Sequence, residues 1–419
     1  MGLDFRRVFA VGLVFLGIQA AWTTYNAYVP GFMTGRFGLS AAFVAGFLLF
    51  EKIVTFAIEP TVGILSDDTH VRLGARLPYI LVGIPLTALA FALIPLPIRL
   101  IPPGELKQLA ALQGLVNPFV IFAVFSLVAM SLIRVPAVTI IPDITPSELR
   151  GQANGILQFM GGVGVLLATY LGRWLVQFDI SAPFWAAIAI LLVAGIVLLR
   201  AARPSSEEVR EEEEEIAREG DTPRLSWRNL PSLVALLLAI ATSFLALAML
   251  GSFLPTYGQQ VLGLDADTAA FLPTLFTATY LLCTLVAAFA SERVGRRTAI
   301  LGGLLGVAVC LALTRLGGGP VVTTALVVAA GAGWSLVLVN TLPLVLDLGP
   351  TRFSGTYTGL YFLAFALAGI LGSEITPVIV AQTTANVGLR FLVVSAILVV
   401  SAALMLGVHY GDAQPATQR

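Results

Sequence analysis

Runs of about 20 apolar residues recur along this 419-residue chain, separated by short polar punctuation. A run of that length crosses the hydrocarbon layer of a bilayer as a helix, with every backbone polar group satisfied inside the segment. The chain is therefore read as an all-α membrane protein. Twelve spans are expected near 8–33, 41–66, 77–99, 115–142, 151–173, 181–201, 231–257, 267–291, 298–315, 321–346, 354–381 and 389–410. Composition agrees: 58% of residues are hydrophobic and 11% charged, against roughly 25% charged in soluble domains. A net charge of zero argues against a nucleic-acid partner. The opening MGLDFRRVFAVGLVFLGIQAAW places arginines before an apolar run, as a signal peptide would. That run continues to Met33, so an uncleaved first span is expected.

The longest polar segment, Arg203 to Arg228, contains EEVREEEEEIAREG and separates spans six and seven. It reads as a solvated linker whose acidity serves solubility. The expected division is a six-helix bundle over 1–202, an acidic cytoplasmic linker over 203–230 and a second six-helix bundle over 231–419. With the amino terminus inside, the cytoplasmic segments hold sixteen of the 24 lysines and arginines and the outer segments six. That bias places both termini in the cytoplasm.

The halves repeat. The stretch RVPAVTIIPDITPSELRGQANG runs from Arg134 to Gly155, and its Asp143, Pro146, Gly151 and Gly155 return 204 residues later as Asp347, Pro350, Gly355 and Gly359. Pro30 and Gly38-Leu39 match Pro255 and Gly263-Leu264 at an offset of 225, which sets Asp67 opposite Glu292. The long outer segment Leu100–Gly114 accounts for much of the change in offset. Two parallel copies, pseudo-symmetric about an axis along the membrane normal, follow.

After span two the chain reads GILSDDTHVRLGARLPYILVG, and after span eight SERVGRR. These loops resemble the signature of the major facilitator superfamily: a Gly, an acid three or four residues on, a Gly and a basic pair. Within it, FEKI…EP with RVPAVTIIPDITP…GQANG is similar to the glycoside–pentoside–hexuronide cation symporters, nearest their sucrose–proton branch. The resemblance implies cation- or proton-coupled movement of a sugar or glycoside by a monomer, with no cofactor. It also implies that Asp67, Arg76, Asp143, Arg150, Glu292, Arg297 and Asp347 form a cytoplasmic gate. Melibiose-type members carry an acid where Arg134 stands, an aromatic where Val138 stands, and two acids where Thr55 and Glu59 stand. These departures weigh against sodium coupling and ordinary galactoside recognition.

Ionisable residues inside spans mark pathways by default. Glu51, Lys52 and Glu59 lie in span two, Arg134 in span four and Glu374 in span eleven. Three acids against two bases leave one carboxylate in surplus, and a buried, unpaired carboxylate is neutralised by a proton. Matching depth predicts a Glu59–Arg134 pair. Lys52, Thr55 and Glu59 are spaced to share one helix face, and the family resemblance implies that Lys52 and Glu374 bridge the outer side. Such pairs also simply hold helices together. Hydroxyls, amides and aromatics suited to a polyol appear as Gln19, Trp22, Thr23 and Asn26 in span one, Gln158 in span five, Tyr280 in span eight, Asn340 in span ten and Tyr361 in span eleven; the same residue types glue membrane helices. Gly161, Gly162, Gly164, Gly302, Gly303 and Gly306 read as close-packing sites.

The expectation is a proton-coupled sugar symporter working by alternating access, its site near the midplane between the halves. A carrier of lysolipids or hydrophobic drugs on the same fold, and a non-transporting receptor, are the alternatives. No nucleophile–base pair, metal-ligand spacing or phosphate-binding glycine loop is present in the sequence.

Overall fold

A computed structural model describes residues 3–69, 71, 73–101, 109–201, 224–225, 229–315, 319–384 and 386–409. The acidic linker, apart from 224–225 and 229–230, and residues 102–108 of the outer segment lie outside the described residues. Among the described residues there are twelve helices long and apolar enough to cross a membrane. Their main helices are α1 Phe5–Gly35, α2 Ala41–Asp67, α3 Leu77–Leu93 (its span completed to Arg99 by a short helix Leu96–Arg99), α4 Leu109–Ile144, α5 Arg150–Leu175, α6 Ala182–Ala201, α7 Leu230–Gln260, α8 Ala266–Val294, α9 Arg296–Thr314, α10 Gly319–Leu346, α11 Ser354–Gln382 and α12 Leu389–Leu406. No strand occurs among the described residues.

Local sequence sets the helix ends. Asp4 caps α1 by accepting from the backbone N–H groups of Arg6 and Arg7. Ser40 caps α2 through Phe43 N, and Asp265 caps α8 through Thr268 N and its hydroxyl. The repeat is visible in the turns. Gly38 and Gly263 sit at φ 67° and 66°, a left-handed conformation that glycine adopts without Cβ strain. Around them the backbone closes identically, Leu39 N to Met33 O and Leu264 N to Gly258 O, both at 2.9 Å.

The chain divides into two compact units. Unit 1 comprises Met1–Ile144, Met160–Thr222 and Arg352–Gly359; unit 2 comprises Thr145–Phe159, Pro223–Thr351 and Leu360–Arg419. The first turns of α5 thus pack within unit 2, and the first turns of α11 within unit 1. Inside unit 1, α1 packs on α4 and α6, α3 on α4 and α6, and α2 on α4. Inside unit 2, α7 packs on α10 and α12, α9 on α10 and α12, and α8 on α10. Advancing each label by six converts one set into the other, which is the structural form of the sequence repeat.

Packing is by interlocked aromatics and by glycine contacts. In unit 1 the Phe184 ring lies 5.7 Å from Phe91, 6.0 Å from Tyr28 and 6.1 Å from Phe32, joining α6 to α3 and α1. Gly164 meets the backbone of Leu16, and Gly161 meets the Phe15 ring. In unit 2, Gly303 meets Gly333 O, but Gly302 and Gly306 face open space. The expectation of close packing at those two positions is corrected: neither sits on the α9 face that meets α10.

Candidate functional site

In unit 1, α2 presents a fully buried polar face to its neighbours. Glu51, Thr55 and Glu59, four residues apart, are all buried, because i, i+4 and i+8 stack along one side of a helix. Lys52 is turned about 100° from that face, and a third of its side chain is exposed. The sequence reading placed Lys52 on the Thr55–Glu59 face; the occupant is Glu51.

Arg134 on α4 reaches Glu59, its Nη1 donating to Oε1 at 3.0 Å. Lys52 Nζ donates to Glu51 Oε1 at 2.9 Å. Trp22 on α1 lies against both cations, with its ring centroid 5.8 Å from Arg134 Cζ and 5.9 Å from Lys52 Nζ. Tyr25 stands edge-on to Trp22 at 6.3 Å. Each carboxylate has one oxygen engaged, while Glu51 Oε2 and Glu59 Oε2 are buried with no hydrogen-bond partner. Trp22 Nε1 and Tyr25 Oη are likewise buried and unpartnered. A buried acid held by a single displaceable donor is a group whose charge depends on whether that donor stays.

A second constellation in unit 1 holds the start of α11. Asp67, the last residue of α2, accepts from Gly355 N at 2.9 Å, Thr356 N at 2.7 Å and Thr356 Oγ1 at 2.6 Å, binding at a helix N-terminus where the dipole favours an anion. Arg76, before α3, donates to Asp67 at 2.7 Å, Ser66 Oγ at 2.6 Å, Asp143 Oδ2 at 3.0 Å and Ser354 Oγ at 2.9 Å. Ser354 Oγ in turn donates to Asp143 Oδ1 at 2.7 Å. Burial alone would pull the Arg76 pKa down; the charges of Asp143 and Asp67 and their hydrogen bonds outweigh it and hold it above the ordinary arginine value. The backbones touch because glycines allow it: a Cβ on Gly355 would lie 2.6 Å from Asp67 Oδ1 and Gly63 O, and one on Gly359 would lie 2.8 Å from Pro60 Cα.

Unit 2 repeats this with the start of α5. Asp347, following α10, binds Arg296 closely and Arg150 Nη1 at 3.5 Å. Arg296 also donates to Ser147 O, and Asn154 Nδ2 donates to Val339 O at 2.7 Å. Arg150 stands 204 positions before Ser354, so the residue opening α5 meets Asp347 as the residue opening α11 meets Asp143. Sequence reasoning named Arg297 here, but Arg297 caps α12 through Met405 O and Leu406 O. Glu292 is exposed. The left-handed turn at Gly295 (φ 85°) starts α9 at Arg296 and so decides which of the two arginines points inward.

Other expected site residues scatter. Gln19 and Thr23 are half-buried and Asn26 is exposed. In unit 2, Gln158 and Tyr280 are half-buried, and Tyr361 is buried edge-on to Phe244. Asn340 donates to Ser291 Oγ at 2.7 Å, tying α10 to α8. Glu374 is exposed on α11, and the ion-pair partner of Lys52 is Glu51.

The model of the Major Facilitator Superfamily matches residues 8–373. An isoprimeverose transporter of Lactiplantibacillus pentosus is 27% identical over 191 residues, 44% of this chain and 38% of that protein; the chain thus spans well under half the length of that relative. A cis,cis-muconate transport protein of Acinetobacter baylyi is 24% identical over 297 residues, 68% of this chain and 70% of that protein. Among solved structures, the proton:xylose symporter XylE superposes with a TM-score of 0.74 at 17% identity, covering 97% of this chain and 96% of that one. FucP, solved in the outward conformation, gives 0.71 at 16% identity, covering 96% and 98%. Those likenesses carry the fold. With the family model spanning most of the sequence, this chain belongs to the Major Facilitator Superfamily and is a transporter rather than an enzyme.

Proposed function

We propose that this transporter is a proton-coupled symporter of a sugar or glycoside, working by alternating access with both termini in the cytoplasm. The observation that carries the reading is the Glu59–Arg134 pair: a carboxylate with no exposed surface, held through one oxygen by one guanidinium. When Arg134 turns to a substrate, Glu59 keeps neither solvent nor its hydrogen-bond donor, and a proton neutralises it. When substrate leaves, Arg134 returns and the proton is released. Glu59 is favoured over Glu374 as the carrier because Glu59 is fully buried and paired with Arg134, whereas Glu374 is exposed on α11. The relative named for isoprimeverose and the fold shared with a proton:xylose symporter support a sugar substrate. The clusters around Asp67–Arg76–Asp143 and Asp347–Arg296–Arg150 fall at ends that the arginine bias assigns to the cytoplasm, where they serve as releasable latches on α11 and α5.

The test uses purified protein in liposomes with an external pH-sensitive dye, adding sugars, glycosides and sugar acids one at a time. External alkalinisation with sugar entry, abolished in Glu59→Gln, is expected. Uptake without any proton movement refutes the coupling; no response to any compound refutes the sugar reading and directs attention to lysolipids and hydrophobic drugs.

A further inference from the structure

The four charged side chains beside Trp22 are not equally accessible. Glu51 and Glu59 have 0% of their side chains exposed, whereas Lys52 has 33% and Arg134 10%. The acids lie behind and the cations in front. Both cations converge on one indole, at 5.9 and 5.8 Å from its centroid. Lysine and arginine offer only donors, and Trp22 Nε1 adds a buried donor without a partner. A neutral sugar hydroxyl is held best by a donor and an acceptor together, and here the charged acceptors are the hidden members. A surface that is positive and made only of donors is complementary to an anion.

We infer that Lys52, Arg134 and Trp22 form a binding site for the carboxylate of an acidic small molecule, a sugar acid in preference to the neutral sugar. This rests on the proton-coupled reading above and narrows its substrate. The ligand carboxylate takes the Arg134 guanidinium, whose fork matches two carboxylate oxygens. Lys52, whose ammonium has three N–H donors, keeps its bond to Glu51 Oε1, so Glu51 stays paired, and turns a remaining donor to the same anion. Glu59 then loses the donor at Oε1, its Oε2 already being unpartnered, and takes one proton from water. The charged groups that act on Glu59 are Arg134 on α4 and Lys52 on its own helix; Glu51 lies about 12 Å away along α2, and Trp22 on α1 flanks both cations. One anion and one proton enter together, so loading leaves the net charge of the carrier unchanged.

The experiment compares matched pairs, glucose with glucuronate and galactose with galacturonate, in liposomes containing the full chain, with and without an imposed membrane potential. The acid members are expected to enter with about one proton each, at a rate indifferent to the potential. Lys52→Gln is expected to raise KM for the acid about tenfold, the loss of one charge-assisted bond, and Lys52→Arg to restore it. Proton-coupled entry of the neutral member with the acid ignored overturns the anion site and leaves the symport reading standing. Entry of the acid without protons keeps the site and overturns the coupling. No entry of either member overturns both, and an unchanged KM in Lys52→Gln removes Lys52 from the site.

Discussion

Replacing Arg76 with glutamine tests the latch that holds the start of α11 in unit 1. Arg76 is 6% exposed and the Asp67 side chain not at all, so their 2.7 Å pair is shielded from water. Orphaning a buried charge completely costs about 3–5 kcal/mol. Asp67 retains the donors of Gly355 and Thr356, which lowers that loss. The Asp143 side chain is a third exposed, so solvent screens its share to ~1 kcal/mol or less. The sum is about 2–4 kcal/mol, a roughly 30- to 1000-fold shift in any equilibrium that requires the latch. In detergent, at about 2–4 °C per kcal/mol, Arg76→Gln should melt on the order of 5–15 °C below wild type. A cycle with Asp143→Asn should show coupling, since the Arg76 Nε–Asp143 bond is counted in both single losses. A melting change under about 2 °C, or strict additivity in the cycle, would refute the reasoning that Arg76 ties the two aspartates to Ser354.

Three further outcomes follow from contacts within the units. Gly359→Leu should destabilise by about 1–3 kcal/mol through overpacking against Pro60, while Gly302→Leu, facing open space, should leave the melting temperature unchanged; equal effects would dismiss the glycine argument. Phe184→Ala should cost about 3–5 kcal/mol, because its ring closes on Phe32, Tyr28 and Phe91, and a melt within 2 °C of wild type, roughly 1 kcal/mol or less, would show that the aromatic cluster is dispensable. Asp179 is held below the ordinary aspartate value by its hydrogen bond from Arg99 and then by Ser181 N, and Asp265 by its bonds from the Thr268 hydroxyl and backbone. With folded values below unfolded ones, their stabilisation is whole above about pH 4 and fades as pH falls through the folded values. Asp179→Asn with Asp265→Asn should therefore flatten the acid limb of melting temperature against pH; an unchanged limb would contradict it.

Much of this fold was legible in the sequence because the bilayer permits few solutions. Span lengths, the Pro30/Pro255 and Gly38/Gly263 correspondences and the Asp143/Asp347 repeat each depend on local chemistry that a linear pattern records. The Glu59–Arg134 pair was reachable as well, since depth can be counted from the helix ends. What stayed hidden depends on rotation and on register after a turn. Glu51 and Lys52 are neighbours, and only the packing of α2 on α4 shows which is buried. Arg296 and Arg297 are indistinguishable until Gly295 fixes where α9 begins. Gly302 and Gly303 differ only in facing α10. The donors of Ser354 and Thr356 gave no signal, because a hydroxyl at a helix start is ordinary until an aspartate is found beside it.

The proposed role of Glu59 is tested most directly by separating exchange from accumulation in Glu59→Gln. Liposomes preloaded with an accepted substrate report counterflow, which needs both conformations but no net proton movement; empty liposomes under an inward proton gradient report accumulation. The variant should retain counterflow and lose gradient-driven accumulation, since a neutral amide can release Arg134 to substrate but cannot carry a proton. Accumulation at the wild-type level in Glu59→Gln would contradict the role assigned to the Glu59–Arg134 pair.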